Sequence, residues 1–186
     1  VTRFLARLCL PLLAAALVLP APAAAGEALR ITATIPPYAM LARAVAGPEA
    51  RVGTLVQRGH DPHHFDPTVA AMARLRRADL VIRNGLGMPQ VEGHIRREPG
   101  DPALFSVAEA ADFAPIRDAR GATNPHIWLD PTVMTQAATA LAERLGRLRP
   151  GERERFAANA AAFNQAVTAA DRQCRGWLAD LPTRRV

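Results

Sequence analysis

Three of the five histidines in this 186-residue chain fall within five positions, His60-Asp61-Pro62-His63-His64. A fourth, His126, stands in Asn124-Pro125-His126-Ile127-Trp128-Leu129-Asp130. Neutral imidazole is a common zinc ligand and also suits manganese and iron. Both groups occupy loops just ahead of a segment that reads Asp-Pro, a favourable helix opening because Asp caps free N–H groups and Pro suits the first helical position. Spacing alone leaves two readings open. The loops are metal-binding, or His60 to His64 is a polar turn and His126 an imidazole packed by Trp128. No Cys-x-x-Cys or His-Glu-x-x-His motif decides between them.

The elements that must position these loops follow from hydrophobic periodicity. Residues 29–35 (LRITATI) alternate and are rich in β-branched side chains, so they predict a strand, closed by Pro36-Pro37. Residues 51–56 and 79–83 predict two more strands, and 104–107 a fourth. Helices are predicted over 38–46, from Asp66-Pro67 onward with Val69, Met72 and Leu75 on one face, and from Asp130-Pro131 with Met134, Ala138, Leu141, Leu145 and Leu148. Residues 152–181 predict one long helix striped by Phe156, Ala160, Phe163, Val167, Cys174 and Trp177. Strands alternating with helices give an α/β fold of right-handed βαβ units on a parallel sheet. In such a sheet the loops leaving the carboxyl ends of the strands converge on one edge, where ligands bind. The two histidine loops are expected to meet there.

Composition bounds the function. Apolar residues make up 49% and charged residues 22%, which is the balance of a globular chain rather than a disordered one. The formal charge is +6, but the arginines are scattered and only 5% of residues are aromatic, so a nucleic-acid surface is not expected. Residues 1–25 have the layout of a secretory signal peptide: Arg3 and Arg7, an apolar run over 8–19, and a small-residue cleavage site at Ala23-Ala24-Ala25. The apolar run is about half the roughly 20 residues that span a bilayer, so the mature chain is expected to be exported and not membrane-spanning. Cleavage removes Cys9 and leaves Cys174 without an internal disulfide partner.

Several segments together carry a resemblance. ITATIPP (31–37), HDPHHFDP (60–67), ADLVIRNGLG (78–87) and NPHIWLDP (124–131), followed by a long helix, resemble in type and order the metal-binding receptor proteins of bacterial ABC importers for zinc, manganese or iron. The resemblance runs from about residue 29 to the end. It implies two α/β lobes joined by a rigid helix, with the metal held in the cleft between them. By resemblance His63 matches the first metal ligand and His126 the second, with two further ligands supplied by the second lobe. His60, His64 and Asp130 are weaker candidates, as secondary ligands or as supports for the ligands. Organisation is then expected as signal peptide 1–25, metal-binding lobe 26–150, linker helix 151–181, and the start of a truncated second lobe at 182–186. The implied function is periplasmic capture of a divalent metal, zinc first and manganese or iron as alternatives, by a monomer that delivers it to an ABC permease without catalysing a reaction. Three other readings stand beside it: a surface or adhesive protein braced by metal, an exported metallohydrolase, and a non-functional fragment.

Overall fold

The computed structural model describes residues 27–95, 103–117 and 119–181. The expected signal peptide at 1–25 and the start of a second lobe at 182–186 lie outside the described residues. Strands β1 (Arg30–Ala33), β2 (Arg51–Thr54), β3 (Leu80–Arg83) and β4 (Leu104–Ser106) form one fully parallel sheet in the order β2-β1-β3-β4. Helices α1 (Pro36–Ala46) and α2 (Val69–Arg77) and the short α3 (Pro89–Glu92) and α4 (Val107–Ala110) connect and follow the strands. The long helices α5 (Pro131–Leu148) and α6 (Arg153–Leu178) close the chain as a hairpin. The expected α/β class with a parallel sheet is what the chain adopts.

The core lies where the apolar strands face the helices. Ile31, Ala33, Leu80, Val81 and Ile82 from β1 and β3 are buried, as are Tyr38, Leu41 and Val45 of α1 and Leu141 and Leu145 of α5. Helix α1 stops at Gly47, whose φ of +85° suits a residue without Cβ. Arg155 of α6 then reaches this end of α1, donating to the Ala46 carbonyl at 3.0 Å and to Glu49 at 2.8 Å. Asn159 donates to the Val45 carbonyl at 3.0 Å, so the carbonyls left over at the end of α1 are satisfied by α6.

Two expectations are corrected. Pro36 and Pro37 do not merely close β1; they form the first turn of α1, where a missing N–H costs nothing. Asp66-Pro67 does not open α2: Thr68 is the cap, its side chain accepting from Ala71 N at 3.1 Å, and the helix begins at Val69, which is 85% exposed rather than on the buried face. The apolar stripe of the last helix is covered only near its start. Phe156 and Ala160 are its buried residues, Phe163 is half-buried, and Cys174 and Trp177 are exposed. At about 1.5 Å per residue α6 is roughly 39 Å long, and α5 is too short to cover all of it. Among the described residues no helix is long and apolar enough to cross a membrane.

Candidate metal site

The strand order creates the place for a site. From β1 the chain moves to β2 on one side and then crosses to β3 on the other, so the connections leaving the carboxyl ends of β1 and β3 diverge. Tyr38 follows β1 and Asn84 follows β3. The Tyr38 hydroxyl donates to Asn84 Oδ1 at 2.5 Å, and Asn84 Nδ2 donates to the Pro125 carbonyl at 2.9 Å. The backbone immediately before His126 is thereby tied to this edge of the sheet.

His126 is exposed, and its orientation is fixed by its neighbours. Its backbone N–H donates to Asn124 Oδ1 at 2.9 Å, and its ring Nδ1 lies 2.6 Å from the same atom. An atom that accepts from a backbone N–H is an oxygen, so Nδ1 must carry the proton here. That leaves the lone pair on Nε2, the form in which imidazole binds a metal. Trp128 packs edge-on against His126 with centroids 5.0 Å apart, and Tyr38 packs edge-on against Trp128 at 6.2 Å. The turn Ile127–Leu129 that carries Trp128 runs into Asp130, whose carboxylate accepts from Thr132 N at 2.8 Å and caps α5.

His63 comes from the other loop. Residues Pro62–His64 form a single 3-10 turn capped by Asp61, whose Oδ1 accepts from His63 N at 2.8 Å. The other Asp61 oxygen lies 2.8 Å from His64 Nδ1. These bonds from His64 and His63 hold the Asp61 carboxyl below the usual carboxylate range. His63 and His126 meet: their ring centroids are 5.6 Å apart at an interplanar angle of 59°. Two imidazoles on one tetrahedral zinc, with Zn–N bonds of about 2.1 Å, place their centroids about 5 Å apart. The observed separation is close to that spacing.

The family of periplasmic zinc-uptake complex component A matches residues 31–186. The chain belongs to this family. Among its relatives, a metal ABC transporter substrate-binding lipoprotein from Streptococcus cristatus is 25% identical over 165 residues, covering 83% of this chain and 53% of that protein. The zinc-binding protein TroA of Treponema pallidum is 27% identical over 165 residues, covering 88% of this chain and 53% of that protein. The crystal structure of a zinc-bound ZnuA deletion mutant superposes with a TM-score of 0.73 at 28% identity, over 85% of this chain and 61% of that one. The TroA structure from Treponema pallidum gives a TM-score of 0.75 at 25% identity, over 84% of this chain and 57% of that one. The chain spans about half the length of the curated relatives it matches.

In this member of the zinc-uptake family the weaker candidates stand apart from the pair. His60 is exposed, and His64 is turned onto Asp61. Asp130 is engaged as the cap of α5 rather than with an imidazole; Asn124 is the residue that orients His126. Among the described residues no group of three His, Cys, Asp or Glu side chains gathers to hold an ion. A hollow of about 310 Å³ adjoins His126, bordered by Phe113, Ile116, Asn124 and Leu129.

Sequence reasoning missed several supports. Asn124 was legible in principle, since Asn two residues before a backbone N–H is a common turn former. Asn84 directly follows the strand expected over 79–83, and nothing in the surrounding sequence marks it as fully buried. His94, the fifth histidine, carries no motif in the sequence; it is half-buried with its ring edge-on to Phe65 at 6.3 Å, next to the turn of His63.

Proposed function

We propose that this chain captures a divalent transition metal outside the inner membrane, zinc in the first instance, and hands it to the permease of an ABC importer. The observation that carries the reading is the facing pair His63 and His126, from loops 63 residues apart in sequence and 5.6 Å apart in space. Capture and release make and break only coordination bonds to the ion and transform no substrate, so the role is binding and not catalysis. In this reading residues 1–25 are a leader removed on export to the periplasm, 26–150 are the metal-binding lobe of a monomer, and 151–181 lead toward a second lobe beginning at 182. Zinc is favoured over manganese because imidazole nitrogen suits it and its tetrahedral shell needs few ligands, while manganese prefers more oxygen. Water or groups outside these two loops fill the remaining positions. Ligating imidazole must be neutral, so binding weakens as pH falls.

The relatives support the class of cargo rather than one ion. The Treponema pallidum protein is named for zinc, and a relative from Streptococcus mitis is named for manganese. The test is a chelator-competition titration with zinc and with manganese on the chain and on His63→Ala and His126→Ala. Zinc is expected to bind more tightly than manganese and to lose at least about 10-fold in affinity in each variant. Equal zinc affinity in all three proteins contradicts the proposal.

A further inference from the structure

Behind the two imidazoles lies one buried amide. Asn84 is fully buried, and all of its polar groups are engaged. Its Oδ1 accepts from the Tyr38 hydroxyl, and its Nδ2 donates to the Pro125 carbonyl. Its backbone N–H donates to Glu92 Oε1 at 2.6 Å, and its backbone carbonyl accepts from Ala108 N at 2.9 Å. The chain can turn back here because the next residue, Gly85, has φ of +90°, and a Cβ on it would fall onto Ser106 Oγ.

These contacts reach His126 by two routes. One runs through Pro125, the residue bonded to it. The other runs through Tyr38, whose ring meets Trp128, which in turn packs on His126. A third route leads to His63. Glu92 belongs to α3, and α3 packs against the turn Pro62–His64. Two residues beyond Glu92, His94 meets Phe65, which follows that turn. Glu92 accepts from Gly85 N as well as Asn84 N; burial pushes its carboxyl above the usual range, and these backbone donors offset only part of that rise.

We propose that Asn84 is a positioning residue for the metal pair, setting the separation of His63 and His126 by holding the backbone of one loop and the helix that braces the other. The proposal rests on the reading of His63 and His126 as ligands. An amide is the side chain that suits the position, because it must accept from Tyr38 and donate to a carbonyl at the same time. Aspartate keeps the shape and the acceptor but turns a second oxygen onto the Pro125 carbonyl.

The test is a double-variant cycle on zinc affinity, by chelator competition, with Asn84→Asp introduced into the native chain and into His126→Ala. Asn84→Asp is expected to weaken zinc binding by roughly 10- to 100-fold when His126 is present. In the His126→Ala background it is expected to cost less than about 3-fold, because the side-chain amide acts on the His126 loop while the backbone bond to Glu92 is kept. Metal-free melting temperatures of the four proteins are expected to fall by the same amount with Asn84→Asp in either background. Where Asn84→Asp does not fold, Tyr38→Phe replaces it, since it removes only the hydroxyl and keeps the ring on Trp128. The same dependence on His126 is then expected, with a smaller loss. Equal affinity costs in both backgrounds, or native affinity in a folded variant, overturn the role of Asn84. Native affinity in both His63→Ala and His126→Ala instead overturns the ligand assignment itself.

Discussion

The loop of His126 is tied into the body of the lobe at three points, whereas the exposed turn of His63 is held by Asp61, by Phe65 and by the short helix α3. Pro125 is bonded to buried Asn84, Trp128 packs on buried Tyr38, and Asp130 caps the first turn of α5. The turn at 62–64 depends on Asp61, three residues from His64, and on the half-buried Phe65. The difference teaches that the two halves of the pair enter binding with different freedom. A ligand already fixed loses little conformational entropy when the ion arrives, while one on a more exposed turn loses more. Under the proposed ligand assignment, His126 would be the fixed post of the pair and His63 the arm that closes on the metal.

The comparison can be broken most strongly at Tyr38. Tyr38→Ala empties a fully buried site and removes the support of Trp128, so it is expected to cost roughly 3 kcal/mol in denaturant unfolding and to weaken zinc binding as well. Asp61→Ala is expected to act in the opposite proportion. It loosens the exposed His63 turn, with about 10-fold weaker zinc binding by competition titration and less than about 1 kcal/mol of stability lost. If Asp61→Ala proves as destabilising as Tyr38→Ala, the two loops are not held differently. Asp130→Ala is expected to cost about 1 kcal/mol by removing the cap of α5. A change in zinc affinity there larger than that from Asp61→Ala would show that Asp130 acts on His126 more directly than as a cap.

A smaller contrast, between the two edges of the sheet, sharpens the same point through pH. At the amino edge Asp79 accepts three hydrogen bonds from Arg30, which hold its carboxyl below the usual range. Its folded value is depressed, so the stability it adds is present above the ordinary carboxylate value of about 3.9 and is lost as pH falls below it. At the carboxyl edge burial raises Glu92, so its contribution has the opposite sign: the native chain loses stability as pH rises from about 4.3 through the folded value. In thermal unfolding across acid pH, Asp79→Asn is expected to be less stable than the native chain at neutral pH and to converge with it in acid. Glu92→Gln is expected to gain on the native chain as pH rises. The Asp79 effect is below about 1 kcal/mol, since both partners are partly exposed. Parallel slopes in the two variants would contradict the assignment of buried support to the site edge and solvated pairing to the other.

Much of the fold was legible because it follows from local pattern. The β-branched runs at 29–35 and 79–83 and the Asp130-Pro131 opening have mechanisms that act within a few residues, and they produced β1, β3 and α5. The opening of α2 was misread because Asp66-Pro67 and Thr68 both offer helix-start chemistry, and only the geometry of the Thr68 hydroxyl decides between them. The convergence of the two histidine loops was legible from parallel-sheet topology. The supports were not, because Tyr38, Asn84 and Pro125 are joined across 46 and 41 residues of sequence by bonds that no periodicity encodes. The exposed far end of α6 was legible in its length, since a helix over 152–181 is longer than one small lobe can cover.

The most direct measurement is X-ray absorption at the zinc edge of the zinc-loaded chain, with multiple scattering used to count imidazoles. The account predicts two imidazoles per zinc, the rest of the shell light oxygen or nitrogen atoms, and one imidazole fewer in either His63→Ala or His126→Ala. Two imidazoles retained in both variants, or a shell without imidazole, would contradict the claim that these two loops form one metal site.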